Sequence, residues 1–107
     1  MSDWKDVCPA NDLKNGQCKL VELDDDLIAV YRINDDFHAI EDRCTHDGGE
    51  LATGEVEGDQ VICPRHGARF CIRTGEALTP PAYEDVDTFP LRVENGRLQI
   101  RDHRDDH

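Results

Sequence analysis

A chain of 107 residues has room for one domain and none for separate catalytic and cofactor domains. Its 24 acidic residues stand against 12 basic ones, a formal net charge of −12 that repels phosphate. Nucleic acid and anionic membranes are therefore excluded as natural partners, and a basic protein surface is the complementary one.

Five cysteines are an odd number and cannot all pair within one chain. The N-terminal stretch MSDWKDVCPAND shows no apolar run behind positive charge, and no segment reaches transmembrane length. A cytoplasmic chain with reduced thiols is expected, and there spaced Cys and His point to metal sooner than to crosslinks. So small and charged a domain buries a modest core, which makes a metal staple useful.

Helical periodicity is weak throughout, whereas strand signals are frequent. In chain order, a short strand is expected at Gln17–Glu22. The β-rich run LIAVYRI (Leu27–Ile33), the turn Asn34–Asp36 and FHAI (Phe37–Ile40) read as a hairpin. Further short strands are expected at Gln60–Cys63 and Arg69–Arg73, with turns at Glu57–Asp59 and Thr74–Gly75. FPLRV (Phe89–Val93) and RLQI (Arg97–Ile100) flank Asn95-Gly96, the strongest hairpin signal in the chain. The pattern is that of a mostly antiparallel all-β domain. After Ile100 the tail RDHRDDH (101–107) has no apolar residue and is expected to be mobile.

Two loops at strand ends carry the chemistry. EDRCTHDGGE holds Cys44 and His46, and ICPRHGARF holds Cys63 and His66, with sixteen residues between His46 and Cys63. Thiolate and imidazole suit zinc or iron. One intervening residue, as in Cys44-x-His46, is a tight span for chelating one tetrahedral ion. The difficulty disappears if neighbours in each loop bind different metals. A two-iron, two-sulfide cluster offers that geometry, with Cys44 and Cys63 on one iron and His46 and His66 on the other. Structural zinc on the same four residues is the competing reading, and the absence of colour would mark it.

These residues, with FHAIEDRCTHDGG before the first loop, RTGEAL after the second and TPPA at Thr79–Ala82, resemble the single-domain Rieske-type [2Fe–2S] ferredoxins that serve oxygenases. The resemblance covers about Trp4 to Ile100. It implies the Rieske fold over residues 1–107: a small antiparallel β-sandwich or barrel base with a two-loop cluster-binding subdomain at about 42–68. It implies one [2Fe–2S] cluster on Cys44, His46, Cys63 and His66, and no catalytic residue. The implied function is one-electron transfer from a flavin-dependent ferredoxin reductase to a terminal oxygenase, docking near His46 and His66, by a monomer. The alternative is a Rieske protein of iron–sulfur assembly, or a redox sensor acting through a partner.

High-potential Rieske proteins carry a serine, a tyrosine and two further cysteines around the cluster. This chain has Ala68 and Phe70, then Gly49 and Arg65, at those places. A potential at the low end of the Rieske range, near about −150 mV, is therefore expected. Outside the ligand set, Cys8, Cys18 and Cys71 read as small buried hydrophobes and His38 as a strand-surface residue. His103 and His107 read as part of the tail. Pro80 and Pro81 are expected to cover the cluster, and Gly48, Gly49 and Gly67 to admit backbone N–H groups to its sulfurs.

Overall fold

The computed structural model describes residues 4–23, 26–42, 54–64, 67–79 and 85–101. Among these residues ten strands run in chain order: β1 Lys5–Pro9, β2 Cys18–Leu23, β3 Asp26–Ile33, β4 Asp36–Glu41, β5 Val56–Glu57, β6 Gln60–Ile62, β7 Arg69–Cys71, β8 Thr88–Phe89, β9 Leu91–Glu94 and β10 Arg97–Ile100. They form three sheets with orders β1-β10-β9, β2-β3-β4-β8 and β5-β6-β7. Every pairing is antiparallel, as expected from the sequence. Among the described residues no helix is long and apolar enough to cross a membrane.

The central sheet explains why LIAVYRI is continuously apolar. Successive side chains of a strand point to opposite faces. Ala29, Tyr31 and Ile33 of β3 join Ile40 in a cluster with Val61, Cys63, Ala68, Phe70 and Ile72. Ile28 and Val30 join Ala39 in a second cluster with Cys8, Leu98 and Ile100. The β2-β3-β4-β8 sheet is thus the middle layer, with β5-β6-β7 on one face and β1-β10-β9 on the other. Ile28, Ile40, Phe70 and Leu98 are fully buried, and each such side chain contributes roughly 1.5–3 kcal/mol.

The turns follow their residues. Asn34 takes φ +57 between β3 and β4. Asn95 and Gly96, at φ +52 and +78, close β9 onto β10 with the left-handed pair that suits a two-residue hairpin. The run FPLRV does not form one strand. Pro90 has no N–H to give a ladder, so the run divides there: β8 pairs with β4 and β9 with β10. One proline passes the chain from the middle sheet to the outer one.

Strand β1 carries no alternation that would announce it, because Lys5 and Asp6 interrupt any apolar pattern. As an edge strand it buries only Cys8 well, and its register with β10 shifts between Asp6 and Cys8. It is also held by side chains. Arg97 donates to both carboxylate oxygens of Asp6. Arg92 and Arg101 both approach the Trp4 ring, their guanidinium carbons 4.5 and 5.7 Å from ring centroids.

Candidate metal centre

The second loop begins where β6 ends. Cys63 follows Ile62 directly and is 1 % exposed, packed with Val61, Ala68 and Phe70. Its backbone is fixed from both sides. The Cys63 N–H donates to the Ala68 carbonyl at 2.7 Å, and the Gly67 N–H donates to the Cys63 carbonyl at 3.0 Å. Gly67 sits at φ +75, which the tight return requires. Its N–H closes that turn on the Cys63 carbonyl.

A third segment runs beside β7. Phe70 bridges to Ala77, Leu78 N–H donates to the Arg69 carbonyl at 2.8 Å, and Arg69 N–H donates to Thr79 Oγ1 at 2.9 Å. The chain that continues into Pro80 and Pro81 is therefore held along the second loop's return strand.

The first loop leaves from the far end of β4. Asp42 N–H donates to the Leu27 carbonyl at 2.9 Å, which extends the β3–β4 ladder to the last residue before Arg43. Beyond it the chain re-enters at Gly54. There Glu55 accepts from Ile62 N–H at 2.9 Å and β5 pairs with β6. The stretch returning from the first loop thus lies against the strand that delivers Cys63.

Of the four expected ligands, the structure describes Cys63. Cys44, His46 and His66 lie outside the described residues, as do Gly48, Gly49, Arg65, Pro80, Pro81, His103 and His107. Within the described set no group of three or more His, Cys, Asp or Glu side chains could hold a metal. Cys63 fits a cluster ligand in its donor chemistry and in its place at the start of a backbone-fixed loop, whereas apolar burial is a feature it shares with Cys8. It is a free thiol enclosed by apolar side chains at a backbone-locked loop, the setting in which a metal-bound thiolate is shielded from water and oxidants.

Ala68 and Phe70, the positions lacking hydroxyls, are both fully buried in the same cluster. Cys8 is a buried hydrophobe, as expected, whereas Cys18 and Cys71 are half-buried. Burial pushes the Cys8 thiol up and the Cys18 thiol up to about 11, so both stay protonated and inert at neutral pH. Cys71 pairs with Gln60, at the opposite end of the β6–β7 hairpin from Cys63.

Two buried polar residues escaped the sequence reading. Tyr31 is wholly enclosed, and its hydroxyl lies against the Cys18 thiol. Burial, then the nearby Cys18 and Asp42, push its pKa above the ordinary phenol range. Asp42 is 7 % exposed, two residues before Cys44. An acid beside a ligand was visible in the sequence, but its burial was not.

With this geometry in view, comparison with known proteins is decisive. Residues 3–90 match the Rieske [2Fe-2S] domain, and the chain belongs to that family. It is 36% identical over 95 residues to the 3-phenylpropionate/cinnamic acid dioxygenase ferredoxin subunit of Shigella flexneri serotype 5b (strain 8401), covering 88% of this chain and 89% of that one. It is 31% identical over 99 residues to the ferredoxin component of the naphthalene 1,2-dioxygenase/salicylate 5-hydroxylase systems of Ralstonia sp, covering 92% and 95%. The fold matches a chain in the complex of reduced oxygenase and oxidized ferredoxin of carbazole 1,9a-dioxygenase. The TM-score there is 0.87 at 35% identity, over 91% of each chain. The protein is accordingly a Rieske-type ferredoxin, an electron-transfer component whose cofactor is a [2Fe–2S] cluster.

Proposed function

We propose that this chain is a cytoplasmic, monomeric electron shuttle, one domain over residues 1–107, that takes single electrons from a flavin-dependent reductase and delivers them to a terminal ring-hydroxylating oxygenase. The carrying observation is likeness over about nine-tenths of both chains to dioxygenase ferredoxins. Cys63, locked at the end of β6 in an apolar enclosure, supports it from the chain itself.

Cys44 and Cys63 would hold one iron and His46 and His66 the other. When bound, the cluster supplies reversible one-electron chemistry. The chain's own residues do the rest. Val61, Ala68 and Phe70 exclude water around the Cys63 sulfur. The backbone hydrogen bonds joining Cys63 to Ala68 and Gly67 fix the main chain from which that sulfur projects.

Ala68 and Phe70 offer no hydroxyl to a sulfur, so reduction is not favoured there by an added donor. The midpoint potential should lie near about −150 mV. His46 and His66 would face the partners. The acidic chain meets basic surfaces on them, so association should slow as salt rises.

The test is reconstitution: purified red-brown protein, a flavin reductase and candidate oxygenases, with product formation measured with and without the ferredoxin. Redox-dependent affinity for a partner, without electron delivery, would favour the sensor reading and overturn this one.

A further inference from the structure

One side chain spans the junction between the middle sheet and the β5-β6-β7 sheet. Arg73 follows β7, in the turn where Ile72 N–H donates to the Asp59 carbonyl at 2.7 Å. Arg73 Nε is 3.5 Å from Asp59 Oδ2, across the β5–β6 turn. Its Nη1 reaches the other sheet, 3.3 Å from Asp36 Oδ2 and 3.3 Å from His38 Nε2. Asp36 and His38 alternate with Ile40 on β4, so all three face the β5-β6-β7 sheet.

Cys63 lies at the far end of the same short strand. Gln60, Val61 and Ile62 separate it from Asp59, a span of about 13 Å of extended chain. Whatever tilts β6 at the Arg73 end moves Cys63 at the other.

We propose that Arg73 is a positioning residue for the sheet that delivers Cys63, and that His38 makes its grip on β4 sensitive to pH. The proposal rests on the ferredoxin reading only in giving Cys63 its importance. With the Nε2 lone pair free, His38 accepts from Arg73. Once protonated it has no lone pair to offer and sets a second positive charge beside the guanidinium.

Asp36, on the same strand as His38, and Asp59 favour the protonated ring, whereas Arg73 opposes it. Tyr31, directly across on β3, is uncharged, and Thr88, Phe89, Pro90 and Leu91 along the adjoining groove carry no charge. Burial first and Arg73 second hold the ring below the ordinary histidine value. The folded protein therefore binds fewer protons here than the unfolded one, and the junction weakens as pH falls through the ordinary histidine pKa of about 6.5.

The experiment is amide hydrogen exchange on the holoprotein at pH 7.5 and 5.5, read as protection factors. Ile72 and Gly75 should lose protection at pH 5.5, by about two- to fivefold for so solvent-screened a contact, while Leu98 and Gln99 on β10 stay level. His38→Gln should remove that pH dependence. Arg73→Met should lower protection at both pH values, and Arg73→Lys should restore part of it. NMR titration of His38 in the unmutated protein gives a second measure, with a midpoint below 6.5 expected. The proposal is overturned by a pH profile unchanged in His38→Gln, by loss spread evenly over β10, or by a midpoint at or above 6.5. Iron and acid-labile sulfide assays on the same sample test the ferredoxin reading separately, since the exchange measurement does not depend on cluster type.

Discussion

The middle sheet and the β5-β6-β7 sheet are built on different terms. In the first, β3 is eight residues long and pairs continuously with β2, from Cys18↔Tyr31 to Leu23↔Asp26, and with β4, from Ile28↔Glu41 to Ile33↔Asp36. In the second, β5 has two residues and β6 and β7 three each. Strands so short do not hold themselves together. The smaller sheet stands because Val61, Phe70 and Ile72 pack on the middle one and because Arg73 ties the two, and ligation by the proposed residues would close its loops. The lesson is a division of labour: a self-sufficient base carries a functional end that depends on its contents.

The largest effect expected from that contrast is at Cys63. Cys63→Ser should abolish bound iron and sulfide altogether and remove all the stability that ligation adds, with a fall in Tm larger than that of any other substitution below. Iron analysis and a thermal scan check both halves.

Core truncations come next and separate the two regions. Phe70→Ala should cost about 3–5 kcal/mol and bleach the visible spectrum early in a denaturant titration. Leu98→Ala, in the opposite cluster, should cost about 2–5 kcal/mol without selective bleaching. Equal bleaching in both would mean one cooperative unit and end the distinction.

A smaller effect is expected at Gly75. It lies at φ +77, and a Cβ there would collide with the Val86 carbonyl oxygen just where Val86 N–H donates to the Gly75 carbonyl at 2.8 Å. Gly75→Ala should destabilise by about 2–3 kcal/mol in urea unfolding.

The smallest involves Asp6. The hydrogen bond from Arg97 holds its carboxyl below the usual range. Stability from this pair is present above the ordinary carboxylate pKa and is lost as pH falls through the lowered one. The fall in Tm under acid should be slightly shallower in Asp6→Asn, because solvent screens so exposed a pair.

What the sequence disclosed depended on how local each signal was. Asn95-Gly96 and the β3–β4 hairpin were legible because neighbouring residues determine them. The family was legible because the Cys-x-His and Cys-x-x-His spacing is set by chemistry, and of the four proposed ligands Cys63 lies among the described residues, directly after β6. Strand β1 was not legible, since its pairing with β10 spans most of the chain and leaves almost no apolar alternation. Nor was the break at Pro90, because FPLRV reads as a strand until one asks which sheet each half joins. Arg73 gave no signal at all: its partners Asp36 and His38 are brought to it by folding alone.

Trp4 is the only tryptophan, and it is approached by Arg92 and Arg101 on the outermost sheet. Nature has thereby given the molecule two optical reporters at opposite poles. Ultraviolet emission follows the docking of the first strand, while visible absorbance follows the iron end. A single unfolding run that records both wavelengths will show directly whether the two poles let go together or in turn.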